Sequence, residues 1–216
     1  MKTLRVTGRG TLHLHPDMIR LVLTLSETRS TYEEAVSQSS KAVEALSNML
    51  LPLGFDREDL KTTNFSIDTE YESYQDHGTY KQRFAGYKYT HILKLEFEEN
   101  TTLLGKALYN IATCGVNPEL RIIYTVKDQE AAKNELLWKA VEDAKTKAKV
   151  LSQAVGVILK EIQTIDYSWG EVRFDLEPVD GAISRCEPLS AESYKLDIEP
   201  DDIDASDTVT VVWEIE

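Results

Sequence analysis

The fold class is decided by residues 18–34, which read MIRLVLTLSETRSTYEE. The first half carries apolar side chains at every second position: Ile19, Leu21, Leu23 and Leu25. A period of two places these side chains on one face of a half-buried β-strand. The second half has the pattern of a helix start, because Ser30 and Thr31 precede Glu33 and Glu34. In this capping box the hydroxyl and the carboxylate each satisfy a free backbone amide.

Further elements extend from this stretch in both directions. Upstream, residues 3–8 alternate as another strand, and Gly8-Arg9-Gly10 predicts a turn or bulge between the two strands. Downstream, the helix runs to a stop at Pro52 and Gly54. The chain therefore begins with two strands and a helix.

A long hairpin follows this helix. Its two strands carry bulky side chains at alternate positions: Phe65, Ile67 and Tyr71 in the first, and Tyr87, Tyr89, Leu93, Leu95 and Phe97 in the second. The polar residues 75–82 between them are typical of a hairpin tip. Strands of this length exceed the usual five or six residues, so we expect the far end to project beyond the helices.

The second half of the chain predicts a shorter helix, a strand and then the longest helix, over residues 128–155. Its apolar stripe follows four-three spacing: Leu137, Val141, Ala144, Ala148, Leu151 and Val155. Because the alanines make this side narrow, we expect it to lie close against a sheet. Strand patterns return over residues 158–169 and at the C-terminus, and an acidic loop over about residues 170–206 separates them.

These elements mix strands and helices without strict alternation, and hairpin connections favour antiparallel pairing. We therefore predict an α+β fold with a largely antiparallel sheet, helices packed on one face and a long central hairpin. With no internal repeat and no linker, residues 1–216 are interpreted as a single domain.

The composition narrows the classes of partner. A formal net charge of -13 repels phosphate backbones and anionic lipid, which argues against nucleic acid or a membrane surface. The first residues lack an apolar leader, and no stretch approaches the length of a membrane span. Two cysteines, Cys114 and Cys186, suit a reducing compartment, although a single bridge between them is an alternative. The sequence thus predicts a cytoplasmic protein, with an exported protein whose signal has been removed as the alternative.

The order of several short motifs resembles the SIMPL-domain family, which includes bacterial periplasmic and outer-membrane immunogenic proteins and an animal partner of an interleukin-receptor-associated kinase. The residues that carry the resemblance are Val6-Thr7-Gly8-Arg9-Gly10, Pro16-Asp17, Glu34-Ala35, Gly54, Asp59-Leu60-Lys61-Thr62, Phe65-Ser66-Ile67, Gly86-Tyr87, then Ala140, Ala144, Lys147, Ala148, Leu151, Ala154 and Gly156, and finally Ser206 to Trp213. The resemblance implies an α+β fold, a tendency to form homo-oligomers, a link to stress response or signalling, and no established enzymatic activity. It implies no catalytic residues.

One set of residues has the chemistry of a metal site. His13, His15 and Asp17 occupy alternate positions, so a continuing strand would point all three side chains from one face. His91 is the one distant residue that we can suggest as a further ligand. The alternative interpretation is a solvated strand end with a turn at Pro16.

Other catalytic or binding motifs are weak. Gly8-Arg9-Gly10 lacks the third glycine and the helix start of a phosphate loop. Neither Cys114 nor Cys186 has surroundings that activate a thiolate. The acidic stretch 199–204 lacks the glycine and the distal glutamate of an EF-hand loop. No serine lies in a nucleophile elbow. We predict no catalytic residue and no cofactor.

Aromatic side chains gather at the far end of the hairpin: Tyr71, Tyr74, Tyr80, Phe84, Tyr87 and Tyr89. Tyrosine buries a large area while keeping a polar tip, which suits an interface. Ordinary packing of the hairpin against a helix is the alternative. The sequence therefore favours a non-enzymatic, self-associating binding or scaffold protein with an unidentified protein partner, and the alternative is a metal-dependent enzyme built on His13, His15 and Asp17.

Overall fold

The computed structural model describes residues 2–76, 79–167, 172–176 and 199–216, with the side chain of residue 76 left out. In chain order the elements are β1 (Lys2–Leu14), β2 (Met18–Arg29), α1 (Tyr32–Leu50), β3 (Lys61–Asp76), β4 (Thr79–Glu98), α2 (Thr101–Thr113), β5 (Glu119–Thr125), α3 (Gln129–Val155), β6 (Leu159–Tyr167), β7 (Asp175–Leu176) and β8 (Ile203–Ile215). The strands pair antiparallel and the fold class is α+β, as predicted.

The chain divides into two compact units. Unit 1 contains Met1–Asp17, Tyr124–Leu176 and Pro200–Glu216, and unit 2 contains Met18–Ile123 and Glu177–Glu199. The boundary between the units falls within β5, after Ile123. The last two residues of β5, Tyr124 and Thr125, belong to unit 1 and pair there with β7. The interpretation of residues 1–216 as one domain stays a prediction.

Unit 1 is built on a sheet with the strand order β1-β8-β6. Strand β1 pairs with β8 in one unbroken register, from Lys2 opposite Ile215 to Leu14 opposite Ile203. Helix α3 packs on one face of this sheet, mainly over β1 and β8. The core beneath it includes Val6, Val209, Val211 and Trp213.

The prediction of a turn or bulge at Gly8-Arg9-Gly10 is wrong, because β1 continues straight through these residues. The glycines serve a close approach of the helix instead. A Cβ atom added to Gly8 would lie 2.0 Å from the carbonyl oxygen of Ala140, and one added to Gly10 would lie 2.1 Å from that of Leu136. Glycine is therefore required where the backbone of α3 rests on the strand.

The alanine side of α3 is buried against the sheet, as predicted for Ala144 and Ala148. The predicted stripe is wrong at its end, since Leu151 is 44% exposed and Val155 is 67% exposed. The buried positions recur at every fourth residue: Ala132, Leu136, Ala140, Ala144, Ala148 and Ser152. The predicted stripe shares only Ala144 and Ala148 with this series, while Leu137 and Val141 beside it are partly buried.

Helix α3 also covers the outer edge of β1. The backbone N–H of Arg9 donates to Oδ2 of Asp143 at 2.7 Å, and Nζ of Lys147 donates to the carbonyl oxygen of Thr7 at 3.4 Å. The hydrogen bonds from Lys147 and from the Arg9 amide hold the pKa of the Asp143 carboxyl below its ordinary value. Edge strands expose unpaired backbone groups, and the two side chains satisfy part of this edge.

Unit 2 contains the strand order β3-β4-β2-β5. Helix α1 packs over β2 and β4, and α2 packs against α1. The predicted face of β2 is confirmed, because Ile19, Leu21, Leu23 and Leu25 are all buried. The capping box is confirmed as well: Thr31 accepts from the Glu34 amide, and the Glu34 carboxylate accepts from the Thr31 amide.

The last strand is longer than the sequence predicts. It begins at Ile203, within the predicted acidic loop, because Ile203 and Ala205 are buried opposite Leu14 and Leu12. Phe174, also within that predicted loop, is buried in the core of unit 1. Across the described ranges, none of the helices has both the length and the apolar character needed to cross a membrane.

Candidate functional site

The far end of the β3–β4 hairpin in unit 2 extends past its neighbouring elements. Strand β2 ends at Arg29, which lies opposite Tyr87 of β4. Beyond this point, of the strands in the described ranges, only β3 and β4 continue, as a two-stranded ribbon here called the distal ribbon, made of residues 70–76 and 79–86. The 20 residues of β4 extend about 66 Å at ~3.3 Å each, whereas the 19 residues of α1 extend about 28 Å at ~1.5 Å each. The helix is too short to follow the hairpin to its tip.

A bulge at the base of the distal ribbon sets which side chains face together. Glu70 pairs with Gly86, whereas Tyr71 pairs with Phe84, so Ala85 is an extra residue in β4. Gly86 has a φ of 150°, and a Cβ atom there would lie 2.4 Å from the carbonyl oxygen of Arg29. Glycine thus permits the close approach where β2 ends, and the bulge brings Phe84 opposite Tyr71.

Four aromatic rings form a continuous row along one face of the hairpin. Tyr71 contacts Phe84 at 5.9 Å between ring centroids, Phe84 contacts Tyr87 at 5.3 Å, and Tyr87 contacts Tyr32 at 6.0 Å. All three contacts are edge-to-face, a preferred geometry for aromatic pairs. Tyr32 is the first residue of α1. The row therefore begins at the helix and continues onto the distal ribbon.

The rings on the distal ribbon remain open to solvent. Tyr71 is 57% exposed, Phe84 is 49% exposed and Tyr80, on the same face, is 77% exposed. We call Tyr71, Tyr80 and Phe84 the aromatic face of the ribbon. Exposed apolar area of this kind marks interaction surfaces more often than isolated exposed side chains do.

The other two predicted interface residues lie elsewhere. Tyr74 points to the opposite face of the ribbon, because it is an odd number of positions from Tyr71, and its ring lies beneath the Arg83 guanidinium at 5.7 Å. Tyr89 is buried in the sheet, where burial, together with the charge of Glu27, raises the pKa of its hydroxyl. Tyr89 supports the hairpin rather than contributing to its surface.

His91 forms a hydrogen-bonded bridge that sequence patterns did not reveal. Its Nδ1 lies 2.8 Å from Oγ of Ser39 in α1, and its Nε2 lies 2.8 Å from Oγ1 of Thr62 in β3. A histidine between two hydroxyl groups resembles part of a nucleophile–base arrangement. Ser39, however, is buried, and both ring nitrogens are occupied. The bridge ties α1 to β3 and β4, and His91 lies in unit 2, whereas His13 and His15 lie in unit 1.

The predicted metal ligands are each held by a different partner in unit 1. His13 Nδ1 lies 2.5 Å from Oδ1 of Asp204, and His15 Nδ1 lies 3.2 Å from Oδ1 of Asp202. The Asp17 carboxylate instead accepts from the backbone amide of Lys127 at 2.7 Å. Within the described ranges, no three side chains among His, Cys, Asp and Glu are grouped to hold a metal ion.

The remaining candidates from the sequence are the two cysteines and the acidic stretch 199–204. Cys114 is a free thiol whose Sγ donates to the carbonyl oxygen of Ile111 within the last turn of α2. Cys186 lies outside the described residues. In the acidic stretch, Asp202 and Asp204 face the two histidines as described above.

Comparison with known proteins gives a family match over nearly the whole chain. The family model SIMPL, described as "Protein of unknown function (DUF541)", matches residues 4–213. This range contains residues of both compact units. The resemblance read from the sequence is confirmed.

Two curated relatives are similar over most of the chain. Each is named a 26 kDa periplasmic immunogenic protein, one from Brucella melitensis and one from Brucella abortus, and each is 29% identical over 161 residues. The match covers 74% of this chain and 64% of each relative, so the chain spans less than two thirds of their length. Among solved structures, CutA from Synechococcus elongatus matches with a TM-score of 0.22 and 17% identity, covering 60% of this chain and 96% of that chain.

The prediction of a cytoplasmic location is contradicted by these relatives, since both are named periplasmic. The prediction rested on the first residues of the sequence and on the small number of cysteines. Neither feature determines a compartment. Exported proteins can contain few cysteines, and the leader of an exported protein is removed from its mature form.

Proposed function

The chain belongs to the SIMPL family, and from this premise we propose that it is a non-enzymatic binding protein that associates with copies of itself through the aromatic face of the distal ribbon. The function of the family as a whole is described as unknown. The proposal therefore depends on the surface of this chain rather than on an activity of its relatives.

The observation that carries the proposal is that the distal ribbon extends past the end of β2 with its aromatic face exposed. Isolated two-stranded hairpins are marginally stable in water and need a third strand or a packed face. Here the third strand, β2, ends at Arg29, and the aromatic face beyond it is exposed. Contact with a second copy would bury this face and would support the ribbon.

The opposite face of the same ribbon is suited to water rather than to an apolar contact. It carries the ion pair between Arg83 and Glu72, Tyr74 lies beneath Arg83, and at the base of the ribbon Glu70 pairs with Lys88. Interfaces are depleted of charge at their centre and enriched in aromatic residues. The two faces of one element thus provide a test surface and a matched control surface.

The proposal predicts that the double variant Tyr71→Ser/Phe84→Ser lowers the native mass toward that of one chain. Full burial of a large apolar side chain contributes about 1.5–3 kcal/mol, and because about half of each ring is already covered, association would gain about half of that, or roughly threefold to tenfold in the association constant per residue. Sedimentation velocity over a concentration series, up to tens of micromolar protein, measures the effect. The thermal midpoint should change little, because both rings lie beyond the core.

The matched control is Tyr74→Ser, which removes an aromatic ring from the opposite face of the ribbon and should leave the native mass unchanged. A wild-type protein that is monomeric at tens of micromolar would refute self-association. A double variant that assembles like the wild type would show that the aromatic face is not the contact.

We propose a periplasmic location on the basis of the two named relatives, to be tested by fractionation of cells that express the protein. A link to stress response or signalling has no support beyond the resemblance and stays a prediction.

The alternative of a metal-dependent enzyme built on His13, His15 and Asp17 also stays a prediction. The engagement of the Asp17 carboxylate by the Lys127 amide does not favour it. Turnover that depends on added metal, and that is lost in a His13→Ala variant, would support this alternative over a binding protein.

A further inference from the structure

His13 and His15 have carboxylate partners that follow one continuous strand register. His13 lies opposite Asp204 in the pairing of β1 with β8. The same register, carried two residues further, places His15 opposite Asp202, and the two side chains are within hydrogen-bonding distance. Since residues two apart on a strand point to the same face, both histidines leave the sheet on one side with both aspartates beside them.

The hydrogen bonds determine which ring nitrogen is free. An ionised carboxylate can only accept, so Nδ1 of each histidine carries the proton and donates to its aspartate. In the neutral ring, Nε2 then keeps its lone pair. Among the described residues neither Nε2 has a hydrogen-bond partner, and the side chains of His13 and His15 are 73% and 67% exposed.

We infer that His13 and His15 form a binding site for a divalent late transition-metal ion, with Asp204 and Asp202 as outer partners that orient the two rings. A histidine that binds a metal usually donates its other ring N–H to a carboxylate, which fixes the ring and increases the basicity of the free nitrogen. Two such histidines at alternate positions of one strand end present two imidazole ligands from the same face.

The chemistry of this pair selects the class of ion. Imidazole nitrogen suits Cu²⁺, Ni²⁺ and Zn²⁺, and affinities for such ligands rise along the series to Cu²⁺. Mg²⁺ and Ca²⁺ require a shell of oxygen ligands, which two imidazoles do not supply. The site is therefore selective by ligand type.

The site is open rather than closed. No third ligand of the His, Cys, Asp or Glu type is grouped with the pair among the described residues, and Asp17 is held by the Lys127 amide. Two protein ligands leave the other coordination positions to water or to a ligand from solution. The site binds an exchangeable ion, and it goes beyond the proposed self-association, which involves unit 2.

The inference is tested by titrating the full chain, purified without a histidine tag, with Cu²⁺, Ni²⁺ or Zn²⁺ in an isothermal calorimeter. We expect one ion per chain. The double variant Asp202→Asn/Asp204→Asn keeps both imidazoles and should weaken binding by about 10–100-fold, the usual effect of losing an outer partner. His13→Ala and His15→Ala each remove a ligand and should weaken it further.

His77→Gln is the matched control, since it removes a histidine from another part of the sequence and should leave the affinity unchanged. Equal binding by the wild type and by a His13→Ala/His15→Ala double variant would overturn the inference. If that variant fails to fold, proton NMR of the wild type decides instead, because substoichiometric Cu²⁺ should broaden the imidazole signals of His13 and His15 first. Uniform broadening of all histidine signals would refute the site.

Discussion

At the scale of single residues, His91 depends on partners that lie far away in the chain. Ser39 is 52 positions before it and Thr62 is 29 positions before it. The alternating pattern placed His91 on a strand, but a pattern shows only which face a residue occupies. Its hydrogen-bond partners are determined by how α1 packs on the sheet, which the local sequence does not specify.

His91 should make the stability of the fold sensitive to mild acid. Burial lowers the pKa of its ring below the ordinary value for histidine, so the unfolded chain binds the proton more readily than the folded chain. The contribution of the neutral ring is fully present above the unfolded pKa of about 6.5 and decreases as the pH falls through that value toward the lower folded pKa. Chemical denaturation between pH 8 and pH 5 measures this loss.

The comparison for this test is His91→Gln, which keeps a polar side chain that does not titrate. Carboxylates affect both proteins alike, so the difference in unfolding free energy between wild type and variant should narrow as the pH falls. A difference that stays constant over this range would show that His91 binds a proton equally well in the folded and unfolded states.

At the scale of elements, the contact of α3 with β1 shows what a pattern can and cannot predict. The alanines of the predicted stripe, Ala144 and Ala148, predicted a close approach to a sheet, and both are buried there together with Ala140. The role of Gly8 was missed, because glycine is equally typical of a turn and of a strand that another backbone touches. Only the position of α3 distinguishes these two cases.

Gly8→Ala should therefore destabilise the protein strongly. The added methyl group would lie within 2.0 Å of the Ala140 carbonyl oxygen, which is backbone and cannot rotate away. Overpacking of a core costs about 1–3 kcal/mol, and we expect the upper part of this range. Denaturation by urea measures the effect. Thr11→Ala, at an exposed position of the same strand, is the control, and equal stability of the two variants would contradict the contact.

Strand β6 shows a second limit of pattern reading. Register shifts on either side of Ile162 place four apolar residues on the face toward α3, although they are spaced by three, three and two positions: Leu159, Ile162, Ile165 and Tyr167. A strict period of two cannot predict this arrangement, because each bulge reverses the alternation. Ile162 and Ile165 stay largely exposed, since α3 lies mainly over β1 and β8.

At the scale of the whole molecule, the sequence predicted the fold class but not the order of the strands. The first strand pairs with the last, and Lys2 lies opposite Ile215. Alternation identifies the buried face of each strand, whereas the partner of a strand depends on contacts between distant segments. The two compact units are each assembled from separate segments, so they depend on the same kind of distant contact. The aromatic residues of the hairpin are visible in the sequence, but their distribution between the two faces and the interior depends on the bulge at Ala85 and Gly86, which the sequence pattern does not show.

The net charge leads to a prediction about assembly as a whole. At -13 each copy repels the next, and this repulsion extends over about 30 Å at 0.01 M salt but over about 8 Å at 0.15 M. A contact made by the aromatic face of the distal ribbon depends on burial of apolar area, which salt does not screen. Self-association should therefore strengthen when the salt concentration is raised, and sedimentation velocity at the two concentrations measures the change.

The direction of the salt effect distinguishes two kinds of interface. If copies were joined by ion pairs, such as those on the Tyr74 face of the distal ribbon, screening would weaken them and the native mass would fall as salt is added. The variant Tyr71→Ser/Phe84→Ser retains the charge of the wild type but lacks two rings, so it should remain dissociated at both concentrations. An increase in mass of the variant equal to that of the wild type would place the contact on another surface. A decrease in the native mass of the wild type with salt would show that ion pairs, rather than the aromatic face, join the copies.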